Sequence, residues 1–274
     1  MTMKKFFPLL TVLLLAVLTL CTCASFGGSG VVSSTASYFG GSGASSSTTG
    51  YHFVSLPKSN ELVVFGVSAR LSSRDAEIEA AREDAAIKVS MYEGVWASID
   101  ATLHIGYDFF DYDVGSNTQV SYNEQIEQYL DKLTFNPDRD VTRNSDGSVF
   151  VKFAYPAAFP GNVSYSFPRN ADGSPGWTTK PPREISGFLA GVGTSGRLER
   201  LVDTLRKSCE AAAASIVSNN MVSIRSADTT VVSQSDSNIT SQSSGHLVNF
   251  VVLESWVDPK SRAVWTLAIA KMAD

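Results

Sequence analysis

The residues whose types and spacing could do chemistry are few. Gly191-Val192-Gly193-Thr194-Ser195-Gly196 spells G-x-G-x-x-G between an apolar strand and a helix. In that setting backbone N–H groups can cradle a pyrophosphate. The chemistry also needs a second parallel strand that ends in an acid. Glu210 lies at about the right distance but falls inside the helix, so the glycines read as a tight passage of the chain into that helix. No cofactor is expected. Asp108, Asp111 and Asp113 stand in Tyr107–Asp113 as imaginable cation ligands. An EF-hand needs acids at alternating positions followed by Gly, which this stretch lacks, so a half-exposed strand or loop is expected and no metal. His52, His104 and His246 are far apart in sequence, and no H-E-x-x-H or G-x-S-x-G motif accompanies them. No catalytic constellation is legible, and the chain reads as a non-enzyme.

The balance of charge narrows the partners. The chain of 274 residues has a formal charge of -5. Its first 22 residues hold two Lys and no acid, which leaves 20 Lys and Arg against 27 acids from Cys23 onward. Nonspecific nucleic-acid binding needs clustered cations on the phosphates, and no such cluster is present. Cys209 is the one cysteine outside the leader, so no internal disulfide is expected. It falls on an apolar helix stripe and reads as a small buried hydrophobe.

The front of the chain reads as an export signal and a leash. Lys4 and Lys5 precede an apolar run from Phe6 to Leu20, short for a membrane span. The sequence Leu18-Thr19-Leu20-Cys21-Thr22-Cys23-Ala24-Ser25 resembles a bacterial lipobox, in which a Cys after a small residue becomes the diacylated N-terminus. Cys23 fits with Thr22 before it and Leu20 at the −3 position; Cys21 is the fallback. Ordinary cleavage after Ala24 is the alternative. Residues 24–50 are almost all Gly, Ser, Ala and Thr and repeat Phe-Gly-Gly-Ser-Gly. Such a stretch cannot bury enough apolar surface to offset its ordering entropy, so it reads as a flexible tether.

Two stretches organise the remainder. Glu61–Trp96 and Ile185–Asn220 each read as an apolar strand, a turn and one long amphipathic helix. In the first helix, Ile78, Ala81, Ala85, Val89, Tyr92 and Trp96 make an apolar stripe, Ser72 or Ser73 caps it, and Glu79, Arg82, Glu83 and Lys88 form a solvated face. In the second, the stripe is Leu198, Leu201, Val202, Leu205, Cys209, Ala212, Ala213 and Ile216. Residues 95–105 alternate with period two, a strand signal. Residues 126–133 suggest a short helix. Asp146-Gly147 predicts a hairpin between Phe135–Arg143 and Val149–Tyr155. Val222–Arg225 should begin a strand, 226–244 a polar loop, and 247–257 with 263–271 a closing hairpin carrying Trp256 and Trp265.

These readings give an α+β fold of two similar modules, each one long helix packed on an antiparallel sheet. Residues 51–155 form the first and 185–274 the second, joined by a surface connector rich in Pro and Gly at 156–184. Pro57 and Pro182, and Gly66 and Gly191, are separated by 125 positions; the helix positions Ile78 and Val202, or Ala85 and Cys209, by 124. An ordered series of this kind predicts an internal repeat.

Trp177, Pro181-Pro182, Phe188–Gly193, the alanine-spaced helix and the closing hairpin resemble the LPP20-type bacterial lipoprotein family over roughly residues 176–272. The first module resembles it more weakly, with Pro57 alone and no counterpart of Trp177. The resemblance implies an outer-membrane lipoprotein on the periplasmic leaflet or the cell surface, held by palmitate-type acyl chains. Some relatives are associated with the outer-membrane parts of the flagellar motor. The expected role is non-catalytic assembly or binding, with envelope proteins or further copies as partners. A surface-exposed adhesin or ligand binder is the alternative, and a hydrolase with a site between the modules the third.

Overall fold

Helix and strand starts follow from local chemistry. In a computed structural model, which describes residues 52–54, 61–105, 112–225 and 237–273, Ser73 Oγ accepts the Ala76 N–H at 3.1 Å and opens the first long helix, α1 (Arg74–Glu93). Asp75 and Glu77 occupy its first turn, where the helix dipole favours acids. Before it come β1 (His52–Val54) and β2 (Leu62–Ser68). After it come β3 (Val95–Ile105), β4 (Tyr112–Tyr122) and the short helix α2 (Glu127–Leu130). The predicted hairpin is β5 (Val141–Arg143) and β6 (Val149–Tyr155), shorter at its front than expected. A single 3-10 turn holds Trp177. The chain closes with β7 (Glu184–Ile185), β8 (Phe188–Ser195), α2's longer successor α3 (Leu201–Arg225), β9 (Ser237–Val257) and β10 (Val264–Met272). Residues 1–51, with the leader, Cys21, Cys23 and tether, lie outside the described residues, as do Pro57, Asp108, Asp111 and 226–236.

The strands make two antiparallel sheets. The larger has the order β4-β3-β9-β10-β8-β7, with β1 pairing beside β9; the smaller has the order β2-β6-β5. A two-residue turn, Ser186-Gly187, joins β7 to β8 with both residues left-handed, at φ 51° and 79°. That is the geometry whose twist suits a tight hairpin.

Period two decides what each strand buries. On β10, Ala268 and Ala270 join Cys209, Ala212, Ala213 and Ile216 of α3 in one core cluster. Leu267 and Ile269 join a second cluster with Ala81, Ala85 and Val89 of α1 and with Val151 and Phe153 of the small sheet. The β8–β10–β9 part of the larger sheet is thus buried on both faces, by α3 on one and by α1 on the other. This is the mixed, helix-on-antiparallel-sheet architecture that the sequence predicts.

Several expectations are corrected. Arg82 and Lys88 turn inward, because α1 is covered on more than one side. Arg82 donates to the carbonyls of Leu130 and Leu133 at 3.2 and 2.9 Å and lies over the Phe135 and Phe153 rings. Glu79 and Glu83 are exposed, as expected. Trp96 leaves the helix stripe altogether and stands on β3, 48% exposed. Val222–Arg225 continue α3 and do not start a strand. Segment 156–183 does more than cross the surface: Trp177 is fully buried, and Phe159 is buried and stacks on Phe188 with centroids 5.0 Å apart. The aromatic content of this Pro- and Gly-rich stretch is what pulls it into the core.

The two glycine-bearing strands meet their helices in one geometry. A Cβ on Gly66 would lie 1.8 Å from the Ala81 carbonyl oxygen, and one on Gly193 would lie 2.1 Å from that of Ser208. Gly66 and Gly193, Ala81 and Ser208, and the helix starts Arg74 and Leu201 are each separated by 127 positions. These contacts are spaced by 127 positions, whereas the offsets read from sequence are 125 and 124. Pairing differs beyond that point. β2 pairs with β6, whereas β8 pairs with β10, which pairs with β9.

Candidate functional site

The candidate chemical residues do not converge. Gly191 and Gly193 are strand residues pressed on α3, and the space a pyrophosphate would need is filled by the Ala212 and Ser208 backbone. Close strand–helix approach, more than a turn into the helix, accounts for them. His246 pairs across the ladder with Trp96, while His104 pairs with Asn238 at the far end of the same ladder. His52 faces Trp256 from β1. Trp256 and Trp265 are direct cross-strand partners, as their positions around the turn predict. Asp113 pairs with His104 within the β3–β4 ladder. Among the described residues, no group of three or more His, Cys, Asp and Glu is placed to hold a metal ion.

Cys209 is buried and carries a free thiol. Burial pushes that thiol from 9.0 up to about 11, so at neutral pH it stays protonated and a poor nucleophile. Beside α3, the Ser208 and Thr266 hydroxyls lie 2.6 Å apart and Thr266 lies 3.2 Å from Ser255 Oγ. These three hydroxyls bond one another inside the core, and Ser208 Oγ also donates to the Leu205 carbonyl at 2.8 Å.

Two buried charged groups also serve the fold. Asp84 accepts the Val67 N–H at 2.9 Å and pairs with Lys88, whose ammonium also donates to the Phe65 carbonyl at 2.6 Å. Both β2 backbone groups are thereby capped from α1. The buried Tyr129 hydroxyl donates to the exposed Glu93 carboxylate at 2.6 Å. Burial, then this hydrogen bond, push the phenol up to about 12.

An open groove of about 560 Å3 lies at the β2–β6 end, bordered by Glu61, Thr134, Asn136, Arg139, Asp140 and Lys152. Asn136-Pro137 turns the chain there, with Asn136 Oδ1 accepting the Asp138 N–H at 3.0 Å. The dipeptide is itself a turn signal, and reading Phe135 onward as strand missed it. Burial alone would raise the Asp140 carboxyl, but hydrogen bonds from Arg139 and the Asn136 N–H, with the Arg139 and Lys152 charges, hold it below the usual carboxylate range. The groove offers paired charges and amides that suit binding. A second cavity, about 30 Å3, lies between β2 and β9 among Val64, Phe65, Leu205 and Leu253, with Lys88 and Ser255 at its polar margin.

No protein-family profile matches the chain, and no curated protein or solved structure shows significant similarity to it. Among the described residues no helix is long and apolar enough to cross a membrane.

Proposed function

We propose that the chain is an LPP20-like envelope lipoprotein, anchored to a bacterial outer membrane by acyl chains on Cys23, whose folded part is a non-catalytic assembly or binding module. The observation that carries this reading is the Leu20-Cys21-Thr22-Cys23 sequence behind an apolar run and ahead of a Gly/Ser leash. Two acyl chains hold a protein at a bilayer firmly, since each buried CH2 contributes about 0.8 kcal/mol. The recurrence of strand, glycine contact and helix at 127 positions supports a tandem of two related modules. Mass spectrometry of the mature N-terminus tests the anchor. A diacylglycerol thioether on Cys23 is expected, and a free amine on Ser25 removes it. Affinity capture from intact envelopes tests the role, with a reproducible envelope partner or the chain itself as the expected catch.

A further inference from the structure

A sheet edge exposes unpaired backbone donors and acceptors, and folded proteins guard such edges with short strands, charges, Pro or bulges. Among the described residues four of the five edges are guarded. β7 has two residues, and β1 and β5 have three each. The β2 edge is capped by the Asp84 carboxylate and the Lys88 ammonium. The fifth edge is β4, eleven residues long, paired to β3 without a register shift. Among the described residues no strand lies on its outer side. Its stretch Asn117-Thr118-Gln119-Val120-Ser121-Tyr122 holds no charge and no Pro, and Asn117, Thr118, Gln119 and Ser121 are exposed.

We infer that β4 is a self-association edge: two copies of this chain join through antiparallel β4–β4 pairing and fuse their larger sheets. A second copy is the occupant the strand fits, because antiparallel self-pairing of residues 117–122 sets no like charges opposite each other. Centred on Gln119, such a pair places Asn117 against Ser121 and Gln119 against its own copy. The contact is isologous and closes on itself as a two-fold dimer, the commonest form of oligomer. It gives the assembly reading above its partner, and rests on that reading only for the setting, in which tethering to one membrane raises the effective concentration of copies.

The test uses the full chain in isolated envelopes with Gln119→Cys, treated with a short bis-maleimide. Arg183→Cys, exposed beside β7, and the unsubstituted chain are the controls. A cross-linked homodimer from Gln119→Cys, at several-fold the yield of both controls, is expected. Adding Asn117→Lys and Ser121→Lys should abolish it while the melting temperature of the detergent-solubilised chain holds. No homodimer, equal yield from Arg183→Cys, or a link to a different protein in its place would overturn self-pairing. Envelope fractionation of the same samples reports the anchor independently, so a soluble yet dimeric chain fails the lipoprotein reading alone.

Discussion

Trp177 donates its indole N–H to the Glu254 carboxylate, tying the segment between β6 and β7 to the middle of β9. Both groups are buried. Burying a carboxylate is costly unless donors replace its water, and the indole is one such donor. Trp177→Phe should destabilise the chain by about 1.5–3 kcal/mol, the range for a hydrogen bond to a charged group. Trp177→Ala adds the lost packing and should cost about 3–5 kcal/mol. Urea denaturation followed by circular dichroism measures both; a Trp177→Phe variant as stable as the parent would mean the indole N–H contributes nothing.

The glycine motif can be divided by substitution. A Cβ on Gly193 meets the Ser208 carbonyl and the Ala212 nitrogen at 2.1 and 2.2 Å, while one on Gly196 meets nothing within 4 Å. Gly193→Ala should therefore cost about 1–3 kcal/mol or more, as overpacked sites do. Gly196→Ala should stay within about 0.5 kcal/mol of the parent. Thermal melts of the two variants decide it, and a phosphate cradle would instead leave both stable.

Lys88→Ala leaves the Asp84 carboxylate, 3% exposed, without its cation. Losing one partner of a buried pair costs about 3–5 kcal/mol. The double variant Asp84→Asn with Lys88→Met should recover a large part of that loss. A double-mutant cycle in urea gives the coupling, and additive losses would show that the two charges do not depend on each other.

Alkaline pH should weaken the fold. The Cys209 thiol and the Tyr129 phenol both bind their protons more tightly folded than unfolded, at about 11 against 9.0 and about 12 against 10.0. A raised folded value stabilises fully below the unfolded one, and that stability is lost as pH climbs through the folded one. The melting temperature should accordingly fall between about pH 9 and 12, and Cys209→Ala should flatten the lower part of the fall. At pH 8 a thiol reagent should label Cys209 only at the rate of unfolding.

Local signals carried most of the element reading. The Ser73 cap, the Ala81–Ala85–Val89 stripe, the alternation along 95–105 and Asp146-Gly147 each act over a few residues, so they were legible. Lys88 and Arg82 were not, because what they face comes from β2 and the α2 region. Trp177 hid in a stretch whose Pro and Gly suggest surface, and its partner Glu254 is 77 positions away. The close approach of Gly66 to Ala81 and of Gly193 to Ser208 was not legible either, because only contact between strand and helix shows it. Of the candidate groups, the cross-strand pairing of Trp256 with Trp265 was visible in advance from their positions around the turn. The groove beside Asp140 was not, since its walls come from three separate parts of the chain.

The pairing of His52 with Trp256 sets a timetable. Synthesis runs from the N-terminus at about 5–20 residues per second, so β1 waits roughly 10–40 s for its neighbour to be made. β3 waits for the same strand. Over that interval those two strands present edges that no later contact has yet hidden, whereas the β2–β6–β5 sheet and the β3–β4 ladder lie wholly within residues 62–155 and can pair before β9 is made.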